Sequence, residues 1–531
     1  MRLPFSFLAL AVAAVIAAWA ALGAPVAMPH APLAPGDKLD CVSYAPFRDS
    51  QSPLDGPMTV SRQQIDDDLA RLAPLTRCVR TYSIDFGLDQ IAGAAKQHGL
   101  KVIQGLWLSS NPDKNRVQIE TTVALANQYP DVIEAVVVGN EVLLRGEMSG
   151  NDLAATIRAV KARVPVPVTY ADVWEFWLRF PQLYDAVDFV TIHILPYWED
   201  FPIPAATAAA HVEAIRARVA AVYPGKEILI GEVGWPSAGR MREGALPSPA
   251  NEARVIQDVL ALAKRQGFRV NVIEAFDQPW KRRLEGTVGG HWGLIDNATR
   301  APKFAWGAAV SNHPRWMLQA AFGVVFVAVV FGAAWLARCD SDPPRTAEWA
   351  AIAVSAATGG ILAGWAIENA MVESLGPGGW LRSAALCGVA LLAAPLSAAA
   401  IAARQPIPSF AAVLADARKP QPLLPFAYGL TCIATAALAI QIALGLVFDP
   451  RYRDFPFAPL TAAAVPLLLH AVLTRPAGAR GLAECVAALL LALAVIYVVP
   501  NEGFANWQSL WTCGVFAALA VTLVRVRGAP G

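Results

Sequence analysis

The 531 residues include 55% hydrophobic and only 16% charged side chains, with a mean hydropathy of +0.41. A single soluble domain rarely has that composition. The formal net charge of +1 points to neither a nucleic-acid partner nor an acidic one.

The apolar residues are unevenly spread, which predicts three segments: 1–37, 38–312 and 313–531. In the first, Arg2 precedes an apolar run from Pro4 to Met28, followed by a Pro-rich spacer, His30 to Gly36. The run is longer than the h-region of a cleaved signal peptide, which favours an uncleaved signal anchor. Either reading exports the domain that follows.

The second segment alternates strand-like and helical patterns. Strand-like runs occur at 39–46, 78–83, 101–108, 135–141, 166–173, 189–197, 227–235 and 270–278, and helical periodicity at 65–73, 88–98, 151–163, 207–222 and 251–266. Eight strands alternating with helices over this length predict a (β/α)8 TIM barrel, an α/β fold that places function at the C-terminal ends of its strands. Those ends hold Arg80 and Tyr82 on strand two, Asn140 and Glu141 on strand four, and Tyr170 and Asp172 on strand five. His193 and Tyr197 follow on strand six, Glu232 and Trp235 on strand seven, and Glu274, Asp277 and Trp280 on strand eight. Carboxylates and aromatics on one rim suit glycoside cleavage, in which one carboxyl group protonates the leaving oxygen and another attacks the anomeric carbon. Cys41 and Cys78 fall in the first two strands, as a disulfide or as two buried thiols.

Two segments, VVVGNEVLLRGE from Val136 and ILIGEVGWPSAG from Ile228, resemble the catalytic signatures of glycoside hydrolase family 17, the β-1,3-glucanase family of retaining (β/α)8 enzymes. VRTYS at Val79, HILPYW at His193 and EAFDQPWK at Glu274 extend the likeness over about half the chain. The resemblance implies Glu141 as acid/base and Glu232 as nucleophile. It also implies Asn140 on the sugar 2-hydroxyl, Arg80 and Tyr197 orienting the nucleophile, and Lys281 and Glu285 beside it. Tyr82, Asp277, Trp235 and Trp280 complete the expected sugar-binding set, the two tryptophans as stacking platforms. His193 is expected to be a hydrogen-bonded rim residue. Retaining chemistry predicts carboxyl groups ~5–5.5 Å apart. The sequence has no metal-ligand spacing, and no Walker or dinucleotide glycine pattern follows a strand, so no metal or cofactor is expected.

In the third segment, apolar runs near 316–337, 348–368, 380–403, 424–447, 456–474, 481–499 and 508–524 approach the ~20 residues needed to cross a bilayer. This predicts an all-α polytopic membrane domain with about seven transmembrane helices. With the barrel outside, the inside loops carry Arg338, Arg345, Arg404, Arg418, Lys419, Arg475, Arg480, Arg525 and Arg527, and the outside loops Arg382, Arg451 and Arg453. That imbalance follows the positive-inside rule and places the barrel at the periplasmic or external face of the inner membrane. Glu368, Gln441, His470 and Glu484 are scattered polar groups in or beside the spans. Cys339, Cys387, Cys432, Cys485 and Cys513 are expected to be apolar fillers.

Family-17-like bacterial proteins with several spans are often labelled β-(1→6)-glucan synthases. No sugar-nucleotide signature accompanies the spans here, which favours remodelling of an existing β-1,3/β-1,6-glucan by hydrolysis or transglycosylation. The expected partners are β-glucan, the lipid bilayer and a glucan synthase or exporter. The alternative is a non-catalytic glucan-binding component of such an assembly.

Overall fold

A computed structural model describes residues 2–338, 342–415, 422–474 and 480–526. Cys339, Arg418, Lys419, Arg475 and Arg527 lie outside the described residues. The chain forms two compact units, one of Val26–Ala238 and Gly244–Val310, the other of Met1–Pro25, Gly239–Glu243 and Ser311–Gly531.

The first unit is the expected barrel. Its strands are β1 (Cys41–Ser43), β2 (Cys78–Arg80), β3 (Lys101–Leu106), β4 (Ile133–Asn140), β5 (Val168–Val173), β6 (Val190–His193), β7 (Ile228–Val233) and β8 (Val270–Val272). Each pairs with the next, and β8 closes on β1 in parallel. Apart from β4, the strands are shorter than the sequence runs, and in every run but that of β5 the last residues leave the ladder to form the rim. The register shifts between β4 and β5, β6 and β7, and β7 and β8 all fall at the C-terminal ends. Such irregularities re-aim side chains, and here they flank Asn140, His193 and Glu232.

Alternation along the strands separates two apolar sets. Val42, Val79, Val102, Val136 and Ile230 join the cluster that packs against the helices. Cys41, Cys78, Ile103, Ala135, Val137, Ala171 and Leu229 form a separate cluster lining the barrel interior. A disulfide joins Cys41 and Cys78, whose Cα atoms are 4.4 Å apart, which decides between the two states open from sequence. The surrounding helices start at polar caps: Ser61 accepts from Gln64 N, Ser149 from Asp152 N, and Ser248, just before Pro249, from Asn251 N. Each cap satisfies an amide that the helix leaves unpaired.

The second unit is helical. Among the described residues, seven helices are long and apolar enough to cross a membrane: Leu3–Leu22, Trp316–Ala337, Thr346–Glu373, Gly376–Ala402, Leu423–Phe448, Leu482–Glu502 and Trp507–Arg525. An eighth apolar helix, Phe457–Leu473, is shorter, with 17 residues. All seven C-terminal runs foreseen from sequence are therefore helices, and a short one, Phe410–Ala415, was not foreseen. Glu368, His470 and Glu484 are partnered. Glu368 accepts from Gln319 Nε2 (2.7 Å) and lies 2.9 Å from His313 Nδ1. His470 Nδ1 is 2.9 Å from the Tyr428 hydroxyl, and Glu484 accepts from Phe410 N at 2.7 Å. Such pairing is what a low-dielectric surrounding requires.

Candidate active site

The site is built from strand ends. β4 ends in Gly139 (φ +87°) and Asn140, and Glu141 itself has φ +53°. A left-handed non-glycine residue is strained. Its backbone is held by Glu141 N donating to Ala171 O at 2.8 Å. β7 delivers Glu232, which is only 6% exposed.

Arg80, 1% exposed, links the two strand ends. Its Nη1 donates to Glu232 Oε1 at 3.0 Å and to Gly231 O at 2.8 Å, and its Nη2 to Asn140 Oδ1 at 2.5 Å. The Tyr82 hydroxyl donates to Glu232 Oε1 at 2.8 Å and sits 2.9 Å from Ser43 Oγ, which in turn accepts from Asn271 Nδ2 at 2.7 Å. His193, fully buried on β6, lies between the carboxylates, with Nδ1 2.9 Å from Glu141 Oε1 and Nε2 3.6 Å from Glu232 Oε1.

Burial alone would push the Glu232 carboxyl up. The charges of His193, Arg80 and Lys281, with the Tyr82 hydrogen bond, outweigh it and hold the group below its ordinary value. Glu232 is therefore an ionised carboxylate in a desolvated site, the form a nucleophile needs.

Lys281 Nζ lies 2.5 Å from Glu274 Oε1. Burial disfavours its ammonium, but Glu274 and Glu285 outweigh that and keep it charged. Burial lifts the Glu274 carboxyl to about 7 against the pull of Lys281, and burial likewise raises Glu285.

Ligand atoms of Glu141, His193 and Glu232 all fall within 4.8 Å of one another. A metal cation has little to gain there, because the Arg80 guanidinium already supplies positive charge beside Glu232. The same distance bounds the carboxylate separation, with one oxygen of each residue within 4.8 Å of the other.

The remaining residues singled out from sequence differ in burial and in their contacts. Trp235 is fully buried and donates its indole N–H to Leu246 O at 3.0 Å, so it offers no open ring face. Tyr197 is also buried, edge-on to Trp198, Trp235 and Trp292. Trp280 is partly exposed, packs edge-on to Phe47 and donates to Gln278 Oε1 at 2.8 Å. Asp277 belongs to a separate buried network, accepting from Lys303 Nζ at 2.7 Å and Gly293 N at 2.9 Å.

Sequence reasoning missed Ser43, Asn271 and Arg145. Arg145 donates to the Asn140 and Leu108 carbonyls and stacks over Trp107, 4.1 Å from the ring centre. The RGE run after Glu141 was its only visible sign.

Residues 41–293 match the BtgE/BtgC glycoside hydrolase domain. A glucan 1,3-beta-glucosidase of Arthroderma benhamiae is 30% identical over 246 residues, 43% of this chain and 78% of that protein. The chain belongs to the BtgE/BtgC glycoside hydrolase family. Within it, a glucan 1,3-beta-glucosidase of Candida albicans is 27% identical over 255 residues, 43% of this chain and 82% of that protein. A family 17 beta-1,3-glucanosyltransferase of Rhizomucor miehei, known from its crystal structure, is 27% identical, covering 50% of this chain and 95% of that one, with a TM-score of 0.44. This glycoside hydrolase thus carries its family domain on the barrel, with the long apolar helices outside the matched residues.

Proposed function

We propose that the barrel is a retaining β-glucan glycosidase or transglycosylase, in which Glu232 is the nucleophile and Glu141 the acid/base. The observation that carries this reading is the carboxylate pair itself. Oxygens of Glu141 and Glu232 come within 4.8 Å, near the ~5–5.5 Å of retaining enzymes and well short of the ~6.5–9.5 Å that inverting enzymes need to admit water.

Glu141 protonates the glycosidic oxygen while Glu232 attacks the anomeric carbon from the opposite face. The C–O bond breaks, the leaving sugar departs as an alcohol, and a glycosyl ester forms on Glu232. Glu141, now a carboxylate, takes a proton from the acceptor, and the acceptor oxygen displaces Glu232. Water as acceptor gives hydrolysis, and a sugar hydroxyl gives transfer. Arg80 and Tyr82 stabilise the Glu232 carboxylate as it leaves. Arg80 also occupies Asn140 Oδ1, which turns the Asn140 amide N–H groups toward the 2-hydroxyl of the sugar. Lys281, Glu285 and the partly exposed Trp280 complete the sugar-binding rim.

The glucan 1,3-beta-glucosidase relatives support β-1,3-glucan as the donor, and β-1,6 linkages are the proposed transfer products. The apolar helices, the bias of basic residues to one set of loops and the Cys41–Cys78 disulfide support a multi-pass inner-membrane protein whose barrel, near 38–312, faces an oxidising periplasm.

Incubating the detergent-solubilised protein with laminari-oligosaccharides tests the proposal. Longer or branched products indicate transfer and shorter ones hydrolysis, and Glu232→Gln is expected to give neither. Equal inertness of wild type and Glu232→Gln, with glucan bound by both, would make the barrel a binding component only.

A further inference from the structure

Asp172, at the end of β5, is fully buried, and among the described residues no lysine or arginine pairs with it. A buried carboxylate without a counter-ion is costly and calls for a compensating role. One of its oxygens serves the turn that carries Glu141. Asp172 Oδ2 accepts from the Tyr170 hydroxyl and, at 3.4 Å, from Leu144 N; Oδ1 accepts from Val173 N at 2.8 Å. The Tyr170 oxygen in turn accepts from Leu143 N at 3.0 Å, and Ala171 O accepts from Glu141 N at 2.8 Å. Three consecutive residues of β5 thus hold the amides of Glu141, Leu143 and Leu144.

We propose that Asp172 is a positioning residue for the acid/base: through the Tyr170–Asp172 pair it fixes the strained Glu141 turn and so aims the Glu141 carboxyl at the glycosidic oxygen. This rests on the assignment of Glu141 above.

Burial lifts the Asp172 carboxyl to about 6, the Tyr170 hydroxyl pulls it down, and the Glu141 charge pushes it up again, so the two side chains lie within electrostatic reach of each other. The other ionisable groups facing Glu141 are His193 from β6, Glu232 from β7, Glu285 from the segment after β8, and Tyr170 itself. Those facing Asp172 are Tyr170, Glu141 and His193. Asp172 and Tyr170 reach the turn of the acid/base from β5.

The substitution Asp172→Asn keeps the shape and the acceptor oxygen but removes the charge. The expected result is that kcat/KM on laminari-oligosaccharides falls about tenfold or more, the scale of losing a buried hydrogen bond that places the acid. On a dinitrophenyl β-glucoside, whose leaving group needs no proton, the rate stays within about twofold of wild type. Tyr170→Phe keeps the carboxylate but removes its hydroxyl donor, and should split the two substrates the same way; it also stands in if Asp172→Asn fails to fold. An unchanged oligosaccharide rate in the folded variants, or equal losses on both substrates, overturns the proposal. Glu141→Gln measured in parallel separates the failures: if it retains activity on the oligosaccharide, the acid/base assignment itself is wrong.

Discussion

Arg80 Nη1 lies 3.0 Å from Glu232 Oε1 with both side chains buried, 1% and 8% exposed, and the same guanidinium reaches Asn140 Oδ1. One cation from β2 therefore ties the ends of β4 and β7 together. Replacing it with Met should lower kcat about 10²-fold or more, the scale of losing a preorganised charged donor. Removing the positive charge also raises the Glu232 carboxyl, so the acid limb of kcat/KM should move to higher pH. A pH–rate profile checks both, and an unmoved acid limb would show that Arg80 acts through shape alone.

Tyr82→Phe removes one donor to Glu232 Oε1. A hydrogen bond to a charged group contributes about 1.5–3 kcal/mol, so kcat should fall about 10–100-fold. KM should change little, and steady-state kinetics on laminaritriose separates the two parameters.

Gly139 is at φ +87°, and a Cβ there would meet Val142 Cγ2 at 2.7 Å. Ala at this position adds backbone strain of about 1–2 kcal/mol and displaces the Glu141 turn. The expected outcome is a kcat loss larger than the change in KM, with a lowered melting temperature, read by steady-state kinetics and thermal unfolding.

The network behind the site governs stability. Lys303 Nζ is 2.7 Å from Asp277 and 3.3 Å from Glu252, whose side chains are 4% and 0% exposed. Burial lifts the Glu252 carboxyl to about 8, with Lys303 opposing. Because this folded value lies above the ~4.3 of an unfolded Glu, the folded barrel holds the extra proton between those limits. Its stabilising effect is complete below the unfolded value and is lost as pH rises through the folded one. Thermal unfolding should show stability declining from about pH 5 toward 8, and Glu252→Gln should flatten that slope. Lys303→Met leaves two buried carboxylates without their cation and should cost about 3–5 kcal/mol.

Much of this was legible in the sequence. Glu141 and Glu232 each close an apolar strand, a pattern that a packed core does not produce on its own, and the alternation of strands with helices fixed which ends share a rim. Cross-barrel distances were not legible, because they depend on closure and on register shifts that no local pattern announces. For that reason His193 read as a rim residue although its imidazole bridges both carboxylates. Tyr82 could not be recognised as a donor to Glu232, and Trp235 could not be recognised as donating to Leu246. The Cys41–Cys78 pairing waited on β1 and β2 lying side by side.

The most direct test of the central claim is mass-spectrometric trapping of the glycosyl ester. Full-length protein incubated with an activated 2-deoxy-2-fluoro-β-glucoside should carry one fluoroglucosyl group on the peptide containing Glu232, and Glu232→Gln should carry none. A label on another carboxylate, or turnover of β-glucan with inversion at the anomeric carbon, would contradict the account.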